Sequence, residues 1–368
     1  MSTSMVDVVR LSPAQQSVYD ALEAFTQLRG GPQVITLFGY AGTGKTTLLC
    51  QLAALHPGAM LCTLTGKAAS VLHRKTGLPA STLHSVFYKL EAVIVDPKTK
   101  REEMIWKEVH DAGALAGQLL MIDECMMVGT KIMSTILRTG VRVIAVGDPN
   151  QLWPVRDDAY FTAANLELTE IHRQALDNPI IRQAHTVRLG GRYRPDGAEF
   201  RVQQNATDEM VIEADIVLCW THEHRHLLNA WARRLRGFHA GVPPQAGEPV
   251  MCLRNIHELG VYNGAIYTLL RPFNPGDPAI MIEVDGYPTQ IAPVQFEGME
   301  KPPEYAAQFV TGFAFGYACT VHKAAGSEWP TVLMFDTFKR NTPWVPERKR
   351  WLYTAITRAS ERITVVIP

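Results

Sequence analysis

Six cysteines in 368 residues, Cys50, Cys62, Cys125, Cys219, Cys252 and Cys319, lie far apart and form no C-x-x-C pair. That spacing argues against a zinc site. No apolar run approaches the ~18 residues of a membrane span, and residues 1–10 lack the apolar core of a signal peptide. The expectation is a cytoplasmic protein with reduced thiols and no membrane partner. Net charge is missing too, since 36 basic residues balance 36 acidic ones. Bulk charge therefore points to no nucleic-acid partner, and any such reading must rest on local features. Internal repeats and low-complexity tracts are also absent.

What is present is a globular composition, 46% hydrophobic and 20% charged, on a chain long enough for two or more domains. Apolar runs at 34–38, 59–63, 119–122 and 141–146 alternate with helical patterns. The intervening segments are long enough for crossover helices, which implies an α/β fold with a mainly parallel sheet covered on both faces. Two stretches interrupt the rhythm. Residues 89–108 read as strand (92–95), polar turn (96–100) and strand (104–106). Residues 241–310 carry many prolines and an Asn263-Gly264 turn, and read as a small β insertion that splits a second α/β lobe. The last strands are expected at 331–335 and 363–367.

Gly39-Tyr40-Ala41-Gly42-Thr43-Gly44-Lys45-Thr46 fits G-x-x-x-x-G-K-[ST] with nothing missing. An apolar run enters it, and Thr47-Leu48-Leu49 leaves it as the start of a helix. Glycines let backbone N–H groups curl around a polyphosphate, and the helix N-terminus adds positive potential. Lys45 is expected to reach the β/γ-phosphates and the Thr46 hydroxyl to ligand Mg²⁺. This loop predicts binding of a nucleoside triphosphate, ATP.

Leu119-Leu120-Met121-Ile122-Asp123-Glu124 reads as a buried strand ending in two acids. Asp123 is placed to hold Mg²⁺ through its water shell, and Glu124 to polarise an attacking water. A third run, Val143 to Leu152, delivers Gly147-Asp148 and then Gln151 to the same sheet edge. An amide there can sense the γ-phosphate or the water, while the bland alternative is a turn rich in Gly, Asp, Pro and Asn.

The order GYAGTGKT, LTGKAA, TLHS, MIDE, VGDPNQL, LTEIHRQ, TVHKAAGSEW and LYTAITRA resembles superfamily 1 helicases, closest to the RecD-like and phage Dda-type branch that moves 5′→3′ on single-stranded DNA. The motifs run from Gln15 to Arg358. The resemblance implies two RecA-like lobes with ATP between them: residues 1–165, carrying a β-hairpin at 89–108, and residues 166–240 with 311–368, split by an SH3-like insertion at 241–310. It implies that Gln15 reads adenine, that Arg173 and Arg358 reach the γ-phosphate, and that Gly326 and Glu328 lie by the nucleotide. For the DNA track it points to Thr65, Gly66, Lys67, Thr82, His84, Pro154, Thr320, His322 and Lys323.

Two positions depart from the family pattern. Ala325 stands where glutamine is usual, and Trp153 replaces a commoner proline or arginine. The hairpin offers Val93, Ile94, Ile105 and Trp106 as a surface for strand separation. The expected activity is ATP-dependent 5′→3′ unwinding of DNA, with single strands and duplex junctions as partners and replication, repair or recombination as the setting. The chain is expected to act as a monomer. The alternatives are a translocase that displaces proteins with little unwinding, and a binding module without turnover; the intact Lys45, Asp123, Glu124, Arg173 and Arg358 argue against the last.

Overall fold

The computed structural model describes residues 11–28, 30–95, 102–154, 157–170, 177–256, 259–299, 310–338 and 346–367. The chain divides into two compact units, Met1–Asp177 and Asn178–Pro368.

The first unit is built on a six-stranded parallel sheet of order β3-β2-β6-β7-β1-β8. Its strands are β1 (Val34–Gly39), β2 (Met60–Thr63), β3 (Ala80–Thr82), β6 (Leu119–Ile122), β7 (Arg142–Gly147) and β8 (Leu166–Leu168). Successive side chains go to opposite faces. Leu120, Ile122, Val143 and Ala145 accordingly join one core, with Leu83 and Phe87 of α4 (Leu83–Phe87) and Met133 and Ile136 of α5 (Thr130–Arg138). Met121, Ile144 and Val146 join the other, against α1 (Pro13–Gln27), α2 (Lys45–Leu55) and α3 (Gly66–Thr76). The sheet is thus covered on both faces, as the apolar runs implied.

Local chemistry sets the helix ends. Ser12 and Gln15 form a reciprocal capping box with Pro13 in the first turn of α1. Thr65 and Thr82 cap α3 and α4. Between α4 and β6 the chain makes an antiparallel pair, β4 (Tyr88–Val95) with β5 (Glu102–Glu108). The turn anticipated at 96–100 lies outside the described residues.

The second unit carries a five-stranded parallel sheet, β17-β10-β18-β19-β9. These are β9 (Phe200–Gln203), β10 (Ile216–Cys219), β17 (Ala318–Thr320), β18 (Trp329–Phe335) and β19 (Ala359–Val366). Its helices are α6 (Pro179–Arg188), α7 (Asp208–Glu213), α8 (His222–Leu235), α9 (Val321–Ala324) and α10 (Pro346–Ile356). Between α8 and β17 lies a β-rich segment. It holds the sheet β12-β11-β16-β15, made of β11 (Pro249–Cys252), β12 (Ile266–Thr268), β15 (Val294–Phe296) and β16 (Thr311–Phe315). It also holds the hairpin of β13 (Ile280–Val284) and β14 (Tyr287–Ile291). This segment has its own core around Phe273, Ile282, Phe296 and Phe313.

Two boundaries differ from the sequence expectation. Residues 166–168, assigned there to the second lobe, form β8, which pairs with β1 in the first sheet. Residues 311–315, also assigned to the second lobe, form β16, which pairs with β11 and β15 of the β-rich segment. Only Gly316 and Tyr317 separate β16 from β17, so no linker marks the change of sheet.

One buried ion pair fastens the β-rich segment to α8. Arg233 donates through Nε and Nη2 to the two oxygens of Glu248 (2.7 and 2.9 Å), and the Tyr317 hydroxyl and Gln245 N–H add 3.1 and 2.7 Å bonds. Removing one partner strands the other charge in the interior, which typically costs about 3–5 kcal/mol. Glu248→Ala is therefore expected to lower the urea midpoint of the second unit by that scale of stability. A loss below about 1 kcal/mol would show that Arg233 reaches water instead.

Candidate nucleotide and nucleic-acid sites

Parallel strands end at one edge, and the motif residues of the first unit sit there. β1 runs into the phosphate loop, where Gly42 and Gly44 take left-handed conformations (φ 81° and 82°) that favour glycine. A Cβ on Gly39 would lie 2.7 Å from Thr43 Oγ1 and 3.1 Å from the Leu168 carbonyl oxygen. Buried Thr43 closes the loop by donating to the Tyr40 carbonyl (2.9 Å), and Lys45 Nζ donates to the same oxygen (2.8 Å). Ala41 lies between them on the loop. Gly44 caps α2 without a side-chain bond. The first N–H groups of α2, Lys45 to Thr47 included, are thus left to an anion.

Asp123 and Glu124 follow β6. Thr46 Oγ1 lies 3.5 Å from Asp123 Oδ2, so the two expected metal ligands are brought together. The Asp123 carboxyl is pushed up to about 6 by desolvation and by the charge of Glu124, while the Glu124 N–H and Lys45 pull the other way. Among the described residues no cluster of three His, Cys, Asp or Glu forms a metal cage. A hydroxyl and one desolvated carboxylate instead suit a small hard cation that keeps waters and shares substrate phosphates. Glu124 holds φ 55°, ψ 43°, and its N–H donates to Asp123 Oδ1 at 2.9 Å. A left-handed, non-glycine carboxylate is a strained feature of the kind that clusters at working sites.

β7 ends at Gly147, where a Cβ would meet Cys125 Sγ at 2.7 Å. Buried Asp148 accepts from Asn150 N–H (3.0 Å) and its carbonyl from Gln151 N–H (3.0 Å). The turn reading of this run holds for the backbone, and it leaves the Gln151 side chain half-buried at the sheet edge. Gln15 is buried, and besides its capping role its Nε2 donates to the Thr43 carbonyl (3.0 Å). It thereby joins α1 to the phosphate loop.

The expected DNA residues of this unit are partly helix caps. Thr65 Oγ1 accepts from Ala68 N–H (3.3 Å) ahead of buried Gly66 and half-buried Lys67. Thr82 Oγ1 accepts from Ser85 N–H (3.1 Å). His84 lies with its ring centroid 5.8 Å from that of Tyr88 and 6.0 Å from that of Trp106, which is 43% exposed. Burial lowers the His84 pKa. Ile105 is half-buried; Val93 and Ile94 belong to β4, and their side chains lie outside the described residues. Pro154 and Trp153 are half-buried, and Trp153 packs against the core that includes Val143 and Ala145 of β7. Arg173 lies outside the described residues.

In the second unit Thr320 ends β17, and His322 and Lys323 follow on α9. Burial lowers both pKa values, helped at Lys323 by Arg225. Lys323 Nζ donates to Asn263 Oδ1 (2.6 Å), a partner sixty residues away that sequence reasoning did not reach. Arg358 is buried, with bonds to the Thr354 carbonyl (3.0 Å), the Ser327 carbonyl (3.1 Å) and Thr357 Oγ1 (3.2 Å). It therefore ties the end of α10 to the Gly326-Ser327 turn, beside exposed Glu328. Ala325, the departure from the family pattern, is buried there.

Known proteins place this arrangement in a class. An AAA domain matches residues 10–211, more than half of the chain, and a UvrD-like helicase C-terminal domain matches residues 315–366. The chain belongs to the AAA domain family and, with its UvrD-like part, to the superfamily 1 helicase group. It is 28% identical to the ATP-dependent RecD2 DNA helicase of Deinococcus radiodurans, over 96% of this chain and 48% of that protein. It thus spans about half the length of that relative. It is 29% identical to the ATP-dependent DNA helicase dda of Enterobacteria phage T4, over 42% of this chain and 38% of that protein. The fold resembles that of Bacteroides Pif1 bound to ssDNA, with a TM-score of 0.61 at 20% identity over 98% of this chain and 94% of that one.

Gly39→Ala tests the loop geometry, because the added methyl has no room beside Thr43 and Leu168. Titration with a fluorescent nucleotide should show affinity lowered about tenfold or more, equivalent to about 1.4 kcal/mol. Parent-like affinity would mean that the loop shifts without harm.

Proposed function

We propose that the chain is an ATP-hydrolysing motor that moves 5′→3′ on single-stranded DNA and unwinds duplex. The observation that carries this reading is the meeting of Thr46 and Asp123 at 3.5 Å, with Glu124 next in chain on a strained backbone. In this reading the loop amides and Lys45 hold the β- and γ-phosphates, and Thr46 and Asp123 hold Mg²⁺. The cation would neutralise phosphate charge. Glu124 takes a proton from the attacking water as the terminal phosphoryl bond breaks, giving ADP and phosphate. Arg173 and Arg358 serve as donors to the γ-phosphate during turnover, which requires Arg358 to exchange its present carbonyl partners.

The names of the relatives support DNA as the track, and the motif order supports the 5′→3′ direction. Strand contacts are assigned to both units, through Thr65, Gly66, Lys67, Thr82, His84 and Pro154 in the first and Thr320, His322 and Lys323 in the second. Small hydroxyls, backbone amides and single cations suit gripping phosphates without reading sequence. The exposed Trp106 on the β4–β5 pair supports unwinding over movement alone, since an aromatic face can stack on the last base pair of a fork. ATP would then supply the ~1.4 kcal/mol mean stacking cost of each step. A monomeric, cytoplasmic enzyme serving replication, repair or recombination is the corresponding setting.

Lys45→Ala should lose most ATP hydrolysis. Glu124→Gln should bind ATP and DNA yet fail to turn over, and near-parent hydrolysis in that variant would exclude Glu124 as the base. Parent ATPase should be low alone and strongly raised by single-stranded DNA, less so as salt increases. Equal turnover with and without DNA at low salt would refute the motor reading. Replacing residues 92–106 by a short Gly/Ser turn should spare DNA-stimulated ATPase while unwinding of a 5′-tailed duplex collapses. Unwinding at the parent rate would place the wedge elsewhere.

A further inference from the structure

Two arginines on α8 hold carboxylates of the β-rich segment, and they hold them differently. Arg233 meets Glu248 as a fork, one nitrogen to each oxygen, with further donors on both oxygens. Arg225, about two turns earlier, gives a single nitrogen, Nη2, to both oxygens of Glu297 (2.7 and 2.7 Å). Its buried Nε has no hydrogen-bond partner among the described residues. The Arg225 side chain is 4% exposed, whereas that of Glu297 is 35% exposed. A buried guanidinium N–H without an acceptor is costly. The fork formed by Nε and Nη2 is the geometry that a phosphate or carboxylate fills best. The first pair is complete, and the second leaves a donor over.

The surroundings of Arg225 favour an anion. His222 lies one turn before it, and His226, next to it, accepts from Arg225 Nη2 through Nε2 (3.3 Å). Lys323 lies within its field, since Arg225 is the main charge that lowers the Lys323 pKa, after burial. The same field, again after burial, lowers the His222 pKa. Glu297 acts on both groups in the opposite sense. Arg225 and Lys323 thus share that acid. The cluster stands at the carboxyl ends of β10 and β17, which are parallel neighbours with Cys219 beside Thr320. Such an edge is where open parallel sheets bind their ligands.

We propose that Arg225 is a phosphate contact for a single nucleic-acid strand, and that Glu297 is a stand-in anion which a strand phosphate displaces. This rests on the assignment of Lys323 to the strand path. The phosphate takes Nε and Nη2 together, and the half-exposed Glu297 turns into water. Each contact is then an exchange of one anion for another, so the grip is weaker than an unopposed arginine would give, and release is easier. Glu297 therefore sets how tightly the second unit holds its track.

Binding of a labelled oligo-dT is measured by anisotropy across a salt series, on the full chain without nucleotide. Glu297→Gln removes the competing charge and should tighten binding about fivefold at low salt, the scale of one partly exposed ion pair. Arg225→Gln should make the slope of log K against log salt shallower by about 0.7, the loss of one phosphate contact on a single strand. If the pair merely braces the β-rich segment, Glu297→Gln will lower the melting temperature and leave dT affinity unchanged or weaker, which overturns the proposal. Glu297→Gln decides the matter even where Arg225→Gln fails to fold. A change in affinity for ADP or inorganic phosphate, in place of dT, would assign the anion to a nucleotide and also overturn it. Lys323→Ala separates the two levels: parent-like dT binding there refutes the strand path, whereas weakened binding there with no gain in Glu297→Gln refutes only the role of Arg225.

Discussion

Parallel pairing of β6, β7 and β1 is the constraint from which the nucleotide site follows. Parallel strands must all finish at one edge, and neighbours lie about 4.8 Å apart. Residues that follow β1, β6 and β7 are thereby gathered although more than a hundred residues separate Lys45 from Gln151. The 3.5 Å approach of Thr46 to Asp123 needs nothing more than the register of those ladders and the turn of the phosphate loop. A slip of one residue would turn Asp123 to the other face and separate the pair. The two apolar cores, one on each face, are what hold the register.

Close approach at that edge leaves room only for particular residues. Gly39 cannot carry a Cβ because Thr43 and the Leu168 backbone occupy the space, and Gly147 cannot because Cys125 does. These glycines do different work from Gly42 and Gly44, which supply left-handed backbone. Glu124 takes the same left-handed region without being glycine, and its N–H bond to Asp123 helps to hold it there. The energy of the two cores thus supports a strained edge, which is the usual relation between a scaffold and a working loop.

The sequence made legible whatever is set by short-range pattern. β6 falls on the expected 119–122, and β1, β2 and β7 lie within one residue of expectation, because buried strands read as apolar runs bounded by turns. The phosphate loop and the acid pair were legible for the same reason. The boundaries at 165 and 310 were not, since β8 and β16 are set by pairing with distant strands and no change of composition marks them. Gln15, Thr65 and Thr82 also take part in capping α1, α3 and α4, a local role that their motifs do not announce. Arg358, expected from its motif to reach the γ-phosphate, lies buried here against Ser327 and Thr354, partners that the motif does not reveal. The partnership of Arg225 with Glu297 spans seventy-two residues and leaves no local trace.

Zero net charge gives no support for a polyanionic partner, yet charge at one edge of the second unit need not follow the bulk. Arg225 and Lys323 are concentrated at one sheet edge, and the field they share is strong enough to lower the Lys323 and His222 pKa values together with burial. Glu297 opposes both groups there, and charge that cancels over the whole chain need not cancel at one edge. A chain of high overall positive charge would hold a phosphate backbone everywhere and release it nowhere. On the proposed strand path, neutral bulk with a few desolvated donors would give short contacts that can be exchanged, and Glu297 among them would bring each exchange closer to even. Movement along a charged track requires that balance more than it requires affinity.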